Sequence, residues 1–295
     1  MMNKQLRGAT KLGGALLIGA MALAGTVSMA TPSGAAKTRS DFVNFHNKLS
    51  GNTNGWCTGV GEPCDGVAYG TIDIVKPSFS NGGGANYGTA TPAPTGQAKY
   101  ARLSGGGTGS GGYLTTPTGC PVAGGENCTG AYTKFGNAIH PQIFQAFTDS
   151  VKIYVDPAWA AANPGQVVDW DVATDNSTGG FGEDYAFNLC STAAAGGGFY
   201  VSWNNGSGGC STPADANYLG ELTGPGWFTF SHQFTNVGGV LYCHYSIQNA
   251  ANATVASATQ NSGNAITGVG GPRYGWFADE DVNGLPVADV QLIKQ

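Results

Sequence analysis

The 295 residues include 49 glycines and only 11% charged side chains, a composition that points away from helical packing. Thirteen lysines and arginines stand against 18 acidic residues, and without a basic stripe a nucleic-acid partner is disfavoured, because phosphate neutralisation supplies most of such affinity. A chain of this length buries a substantial core and is compatible with one all-β domain.

The first thirty residues read as an export signal. Lys4, Arg7 and Lys11 precede an apolar stretch over about 13–27, and Ser28 and Ala30 hold the small positions of a cleavage site. Cleavage after Ala30 is preferred, with Gly34 and Ala36 a second small pair, and no cysteine lies near either for lipid attachment. Removal of residues 1–30 leaves 10 basic against 18 acidic residues, a net charge of −8. No later run reaches the 18 or more apolar residues of a membrane span, and the closing "VQLIKQ" carries neither an apolar tail nor a basic cluster. A free, secreted protein without membrane insertion is expected.

Residues 31–65 read as an N-terminal extension, polar and with one short helical stretch over 41–49. Seven cysteines in an exported chain suggest a disulfide framework with one thiol left over. Cys57 and Cys64 bracket "TGVGEP", and Cys120 and Cys128 bracket "PVAGGEN"; each pair would restrain its loop by roughly 2–3 kcal/mol. Cys190 shares strand parity with Asp184 and Asn188, so it faces outward and could meet Cys210. Cys243 alternates with Leu241, Tyr245 and Ile247, which makes it the odd, buried thiol.

The proposed sandwich domain spans 66–295. Its first half places short strands near "VAYGTIDIV", "AKYARLSG" and "GGYLTTP" between long loops rich in Gly, Ser, Thr and Pro over 78–131. From Gln142 the alternation becomes regular. "SVKIYVDP" sets Val151, Ile153 and Val155 on one face, and "GQVVDWDVATD" sets Val168, Trp170 and Val172 inward with Asp169 and Asp171 outward. "EDYAFNLC", "GFYVSWNN", "GWFTFSHQFTN", "GVLYCHYSIQ", "RYGWFAD" and "LPVADVQLIK" follow, separated by glycine and asparagine turns. Period-two patterning at this spacing predicts an all-β, antiparallel β-sandwich of jelly-roll type with long glycine-rich loops. "NVGGV" between two strands predicts a hairpin whose glycines supply positive φ.

The segments "GWFTFSHQF", "NVGG", "VGGPRYGWF" and "LPVADVQLI" resemble the concanavalin A-like, laminin G-type jelly roll of secreted bacterial proteins, over roughly 69–295. That resemblance implies the company of lectins, carbohydrate-binding modules, glycoside hydrolases and polysaccharide lyases, among which fold does not choose.

The candidate functional residues follow from parity. His232 shares a face with Phe228, Phe230 and Phe234, so it is either a core residue or part of an aromatic groove. His244 lies on the opposite, polar face with Tyr242, Ser246 and Gln248. The acidic patch "DWDVATDNSTGGFGED" holds Asp169 and Asp171 two apart on a strand, hence about 7 Å apart on one face, a spacing compatible with a glycosidase pair. Loop-pinning hydrogen bonds or a Ca²⁺ site are the other readings of this patch. A lyase would need a base beside a cation, for which Tyr242, His244 and Arg273 are candidates; a turn-bonding role is the other reading of Arg273. No G-x-S-x-G is present, the histidines at 46, 140, 232 and 244 lack zinc spacing, and "GTGSGG" has no strand-to-helix context. No cofactor is required by this reading. The first expectation is a protein that binds an extracellular polysaccharide through Asp169, Asp171, Tyr200, Asn204, Tyr242, His244 and Arg273. A polysaccharide hydrolase or lyase on the same fold is the alternative, and a structural or adhesive surface protein a further one.

Overall fold

A computed structural model describes residues 56–57, 71–75, 94, 100–104, 131–133, 142–204, 210–278 and 280–295. Fourteen strands run through them: β1 (Trp56–Cys57), β2 (Thr71–Val75), β3 (Tyr100–Ser104), β4 (Tyr132–Thr133), β5 (Phe147–Val155), β6 (Val167–Asn176), β7 (Phe181–Thr192), β8 (Gly198–Asn204), β9 (Tyr218–Leu222), β10 (Gly226–Val237), β11 (Val240–Gln248), β12 (Thr254–Ala265), β13 (Val269–Trp276) and β14 (Asn283–Lys294). They form two antiparallel sheets of seven strands each among the described residues, ordered β1-β4-β13-β6-β7-β8-β9 and β12-β11-β10-β5-β14-β3-β2. The fold is an all-β sandwich.

Alternation builds the core. Strand β5 buries every second residue, Phe147, Asp149, Val151, Ile153 and Val155. Strand β11 does the same with Leu241, Cys243, Tyr245 and Ile247. From the other sheet, Val168, Trp170, Val172, Tyr185, Phe187, Leu189 and Val201 meet them in one apolar cluster. The β10–β11 hairpin turns on Gly238 and Gly239, whose φ of 62° and 86° are costly for residues with a Cβ. One short helix, α1 (Pro157–Ala162), leaves β5; the Asp156 carboxylate caps it by accepting from the Trp159 amide at 3.1 Å, and Pro157 stands where no amide hydrogen is needed.

The interior is not wholly apolar. His232 and Asp149 are register partners on β10 and β5, both fully buried, and the Trp170 indole donates to Asp149 Oδ1 at 2.9 Å. His232 therefore belongs to the aromatic interior, with its ring 4.6 Å from Phe187 and 5.1 Å from Tyr245. Cys243 is a free, buried thiol. Cys190 joins Cys210, with Cα atoms 5.3 Å apart, and ties β7 to the segment before β9. The Cys57–Cys64 and Cys120–Cys128 pairings, the export signal, the 31–65 extension apart from Trp56–Cys57 and the strand at "GGYLTTP" lie outside the described residues.

Candidate functional site

Strand parity places Asp169 and Asp171 on the face of β6 opposite Val168, Trp170 and Val172, as the alternation implies, but both carboxylates are buried. The expectation that they are exposed is corrected. Alternation distinguishes the two faces of a strand; it does not say whether the second face is open to water, and here all of 168–175 is closed to solvent. On this face Asp169 lies opposite Asn188 and, one strand further, Ser202, while Asp171 lies between Trp276 and Ala186, with Asn204 beyond. Tyr200 is half-buried further along β8, its ring 5.8 Å from Tyr218. Asp184 stands on the same face in a hydrogen bond with Tyr274; burial is the main reason its carboxyl is pushed up to about 6.

Tyr242 and His244 are partly exposed and form a second location, on the outer face of the other sheet. His244 Nδ1 is 2.9 Å from Thr259 Oγ1, and Asn261 Nδ2 donates to the Tyr242 hydroxyl at 3.0 Å. Their cross-strand neighbours Gln233 and Thr235 extend a polar row.

Arg273 belongs to a third location, where the chain forms a cleft of about 280 Å³ lined by Thr174, Asp175, Asn176, Phe181, Asn264 and Val269, among others. The sequence favours this geometry at several points. The turn between β6 and β7 is held by the Asn176 side chain, whose Oδ1 accepts from the Thr178 and Gly180 amides at 2.9 and 3.0 Å and whose Nδ2 donates to Phe181 O. The Ser177 amide bonds Gly268 O at 2.9 Å, which fixes that turn against the connection from β12 to β13. At Gly182 a Cβ would come within 2.9 Å of the carbonyl oxygens of Thr174 and Asp175, so the close approach of β7 to the bulged end of β6 requires glycine.

The polar side chains of the cleft are oriented by neighbours. Arg273 Nη1 donates to Asp175 Oδ1 at 2.7 Å and to Gly179 O at 3.2 Å, joining β13 to the turn. Glu183 Oε2 accepts from the Tyr185 hydroxyl at 2.8 Å and from the Asn264 amide. Phe181 stands at the rim, 51% exposed. An aromatic ring and two side-chain amides thus line one concavity, with Thr174 and Asp175 buried beside them and the Asp175 carboxylate paired to Arg273.

Sequence reasoning singled out Arg273 and the acidic patch but missed Phe181, Asn264 and Thr174. Phe181 was a visible signal, an aromatic residue immediately after a glycine turn. Asn264 reaches the site from 81 residues away in sequence, which no local pattern reports. Among the described residues, no three His, Cys, Asp or Glu side chains gather as ligands for a metal ion, and no helix is long and apolar enough to cross a membrane.

No protein-family model matches the chain, and no curated protein matches it. Among solved structures, the CBM2 module of the evolved Dit of Lactobacillus casei BL23 phage J-1 aligns with 76% of this chain and 88% of its own, at 12% identity and a TM-score of 0.33.

Proposed function

We propose that this is a secreted glycan-binding β-sandwich of the jelly-roll kind, and that its cleft takes one residue of a neutral, extracellular polysaccharide. The observation that carries this reading is the juxtaposition, in one concavity, of the exposed Phe181 ring with the side-chain amides of Asn176 and Asn264. Aromatic faces offer a flat apolar platform for the C–H face of a sugar ring, and side-chain amides pair with its hydroxyls. The volume of about 280 Å³ lies just below the roughly 300–1,000 Å³ of small-molecule pockets, a size suited to a single sugar unit.

The lining also bears on ligand charge. The Asp175 carboxylate is buried and paired with the Arg273 guanidinium, which also donates to Gly179, so this pair brings no net charge to the cleft. A uronate or sulfate would find no cation among the lining residues to receive it, so uncharged glycans are favoured. The same engagement of Arg273 weighs against a lyase, whose cation must neutralise a substrate carboxylate.

Retention of the secreted protein on a panel of neutral and anionic polysaccharides, with new reducing ends and unsaturated products assayed in parallel, tests the proposal. Retention on a neutral glycan without cleavage, weakened about tenfold by Phe181→Ala, is expected from loss of one stacked ring with its buried area. Cleavage of any glycan, retention confined to uronates, or full retention by the Phe181 variant would overturn it.

A further inference from the structure

Two asparagines of the cleft have their amide orientations fixed by what they bond. Asn176 Oδ1 accepts from the Thr178 amide at 2.9 Å, the Thr178 hydroxyl at 2.7 Å and the Gly180 amide at 3.0 Å, while its Nδ2 donates to the Phe181 carbonyl at 3.0 Å. Three donors converge on one atom, so that atom is the oxygen, and the group Asn176 has left to offer is its second N–H. At Asn264 the arrangement is reversed. Its Nδ2 donates to Glu183 Oε2, which also accepts from the Tyr185 hydroxyl. A carboxylate accepts only, so the nitrogen must face Glu183, and Oδ1 remains as an acceptor.

The two asparagines reach the cleft from different chain segments. Asn176 closes β6 and lies beside the exposed Phe181, whereas Asn264 stands near the end of β12, followed by Ala265, with Val269 opening β13. One segment thus presents a fixed donor and the other a fixed acceptor. The rest of the lining includes the apolar Phe181, Ala265 and Val269.

We propose that the cleft selects the acetamido group of an N-acetylated amino sugar: the ligand's amide N–H donates to Asn264 Oδ1, its carbonyl accepts from Asn176 Nδ2, and its methyl rests on the apolar lining. This rests on the glycan reading and names its substrate class. A secondary amide carries N–H and C=O on opposite edges of one plane, so a donor and an acceptor on two segments hold both at once. A hydroxyl discriminates less, because it rotates to donate to one group or accept from the other and gains little from their fixed polarity. Glu183 is a positioning residue in this arrangement, keeping the Asn264 oxygen turned to the ligand.

Titration calorimetry of the intact chain with oligomers of N-acetylglucosamine, glucose and glucosamine, matched in linkage and length, tests the selection. The acetylated oligomer is expected to bind about tenfold more tightly than the glucose oligomer, the scale of one to two neutral hydrogen bonds. Asn264→Ala is expected to abolish that preference by weakening the acetylated ligand, and Phe181→Ala to weaken both ligands alike. Glu183→Gln, whose new amide bonds either end of Asn264, is expected to shrink the preference while glucose-oligomer binding stays as in the wild type. Asn264 is exposed and Glu183 half-buried; urea midpoints measured alongside show that the variants fold, and the wild-type preference needs no variant. Equal affinity for the acetylated and glucose oligomers, or a preference that survives Asn264→Ala, would overturn this proposal and leave the glycan reading standing. Tightest binding of the cationic glucosamine oligomer, or no binding of any glycan, would overturn both.

Discussion

His232 and Asp149 face one another across β10 and β5 in the centre of the sandwich, Nδ1 3.9 Å from Oδ1, and neither imidazole nitrogen makes a hydrogen bond. Burial holds the imidazole neutral, with its pKa lowered from 6.5 to about 3, and raises the Asp149 carboxyl well above its ordinary value. The imidazole of the pair is therefore neutral. It stands in the core because its strand neighbours Phe230 and Phe234 do, and not as a working site.

The pH dependence of stability carries its signature. The unfolded chain takes up a proton at His232 below about pH 6.5 while the folded chain does not, so this residue's contribution to stability falls as pH drops from 6.5 toward 3. Asp149 acts in the opposite sense: its raised carboxyl contributes stability at low pH that is lost as pH rises. Asp184 does likewise, losing its contribution as pH rises through about 6. Replacing His232 by Phe removes only the first effect. Relative to that variant, the wild type is expected to lose about 2 kcal/mol between pH 7 and pH 5, measured by urea unfolding at both values.

Arg273→Met leaves the Asp175 carboxylate buried without its guanidinium, and breaking such a pair costs about 3 kcal/mol. Arg273→Lys keeps the charge but loses the two-point grip on Asp175 and Gly179. Urea midpoints are expected to rank wild type above Lys above Met; equal midpoints would remove Arg273 from the support of the cleft.

The Cys190–Cys210 bond closes a loop over a sequence separation of 20, for which chain entropy predicts a loss of about 3 kcal/mol when both cysteines become serine. The same destabilisation is expected from reduction of the wild type under denaturant. Cys243 is expected to react with thiol reagents only on unfolding, since it is buried and burial raises its thiol well above the ordinary range.

Under the glycan proposal, single substitutions separate the cleft from the outer face of β11. Asn264→Ala removes the amide that bridges the cleft to Glu183 and is expected to raise the glycan Kd about tenfold. Tyr242→Ala and His244→Ala, on that outer face, are expected to leave it unchanged in titration calorimetry. The reverse pattern would move the site to the outer face of β11.

Much of the architecture is legible in the order of residues, because a strand's side chains alternate with a strict period of two. The inward Val151, Ile153 and Val155, the buried Cys243 and the glycine hairpin at 238–239 all follow from parity and turn chemistry within a few residues, whereas the partner of Cys190, a residue expected to face outward but buried, is fixed by the tertiary structure. Depth does not follow. Whether the second face of β6 meets water is decided by what lies over it, and so Asp169 and Asp171 are buried although their parity is outward. The cleft is equally beyond local reading: Asp175, Phe181, Asn264 and Arg273 come from four strands, brought together by ladder register and by one amide bond from Ser177 to Gly268. Local sterics set each strand's two faces, and only long-range pairing decides which residues share a concavity.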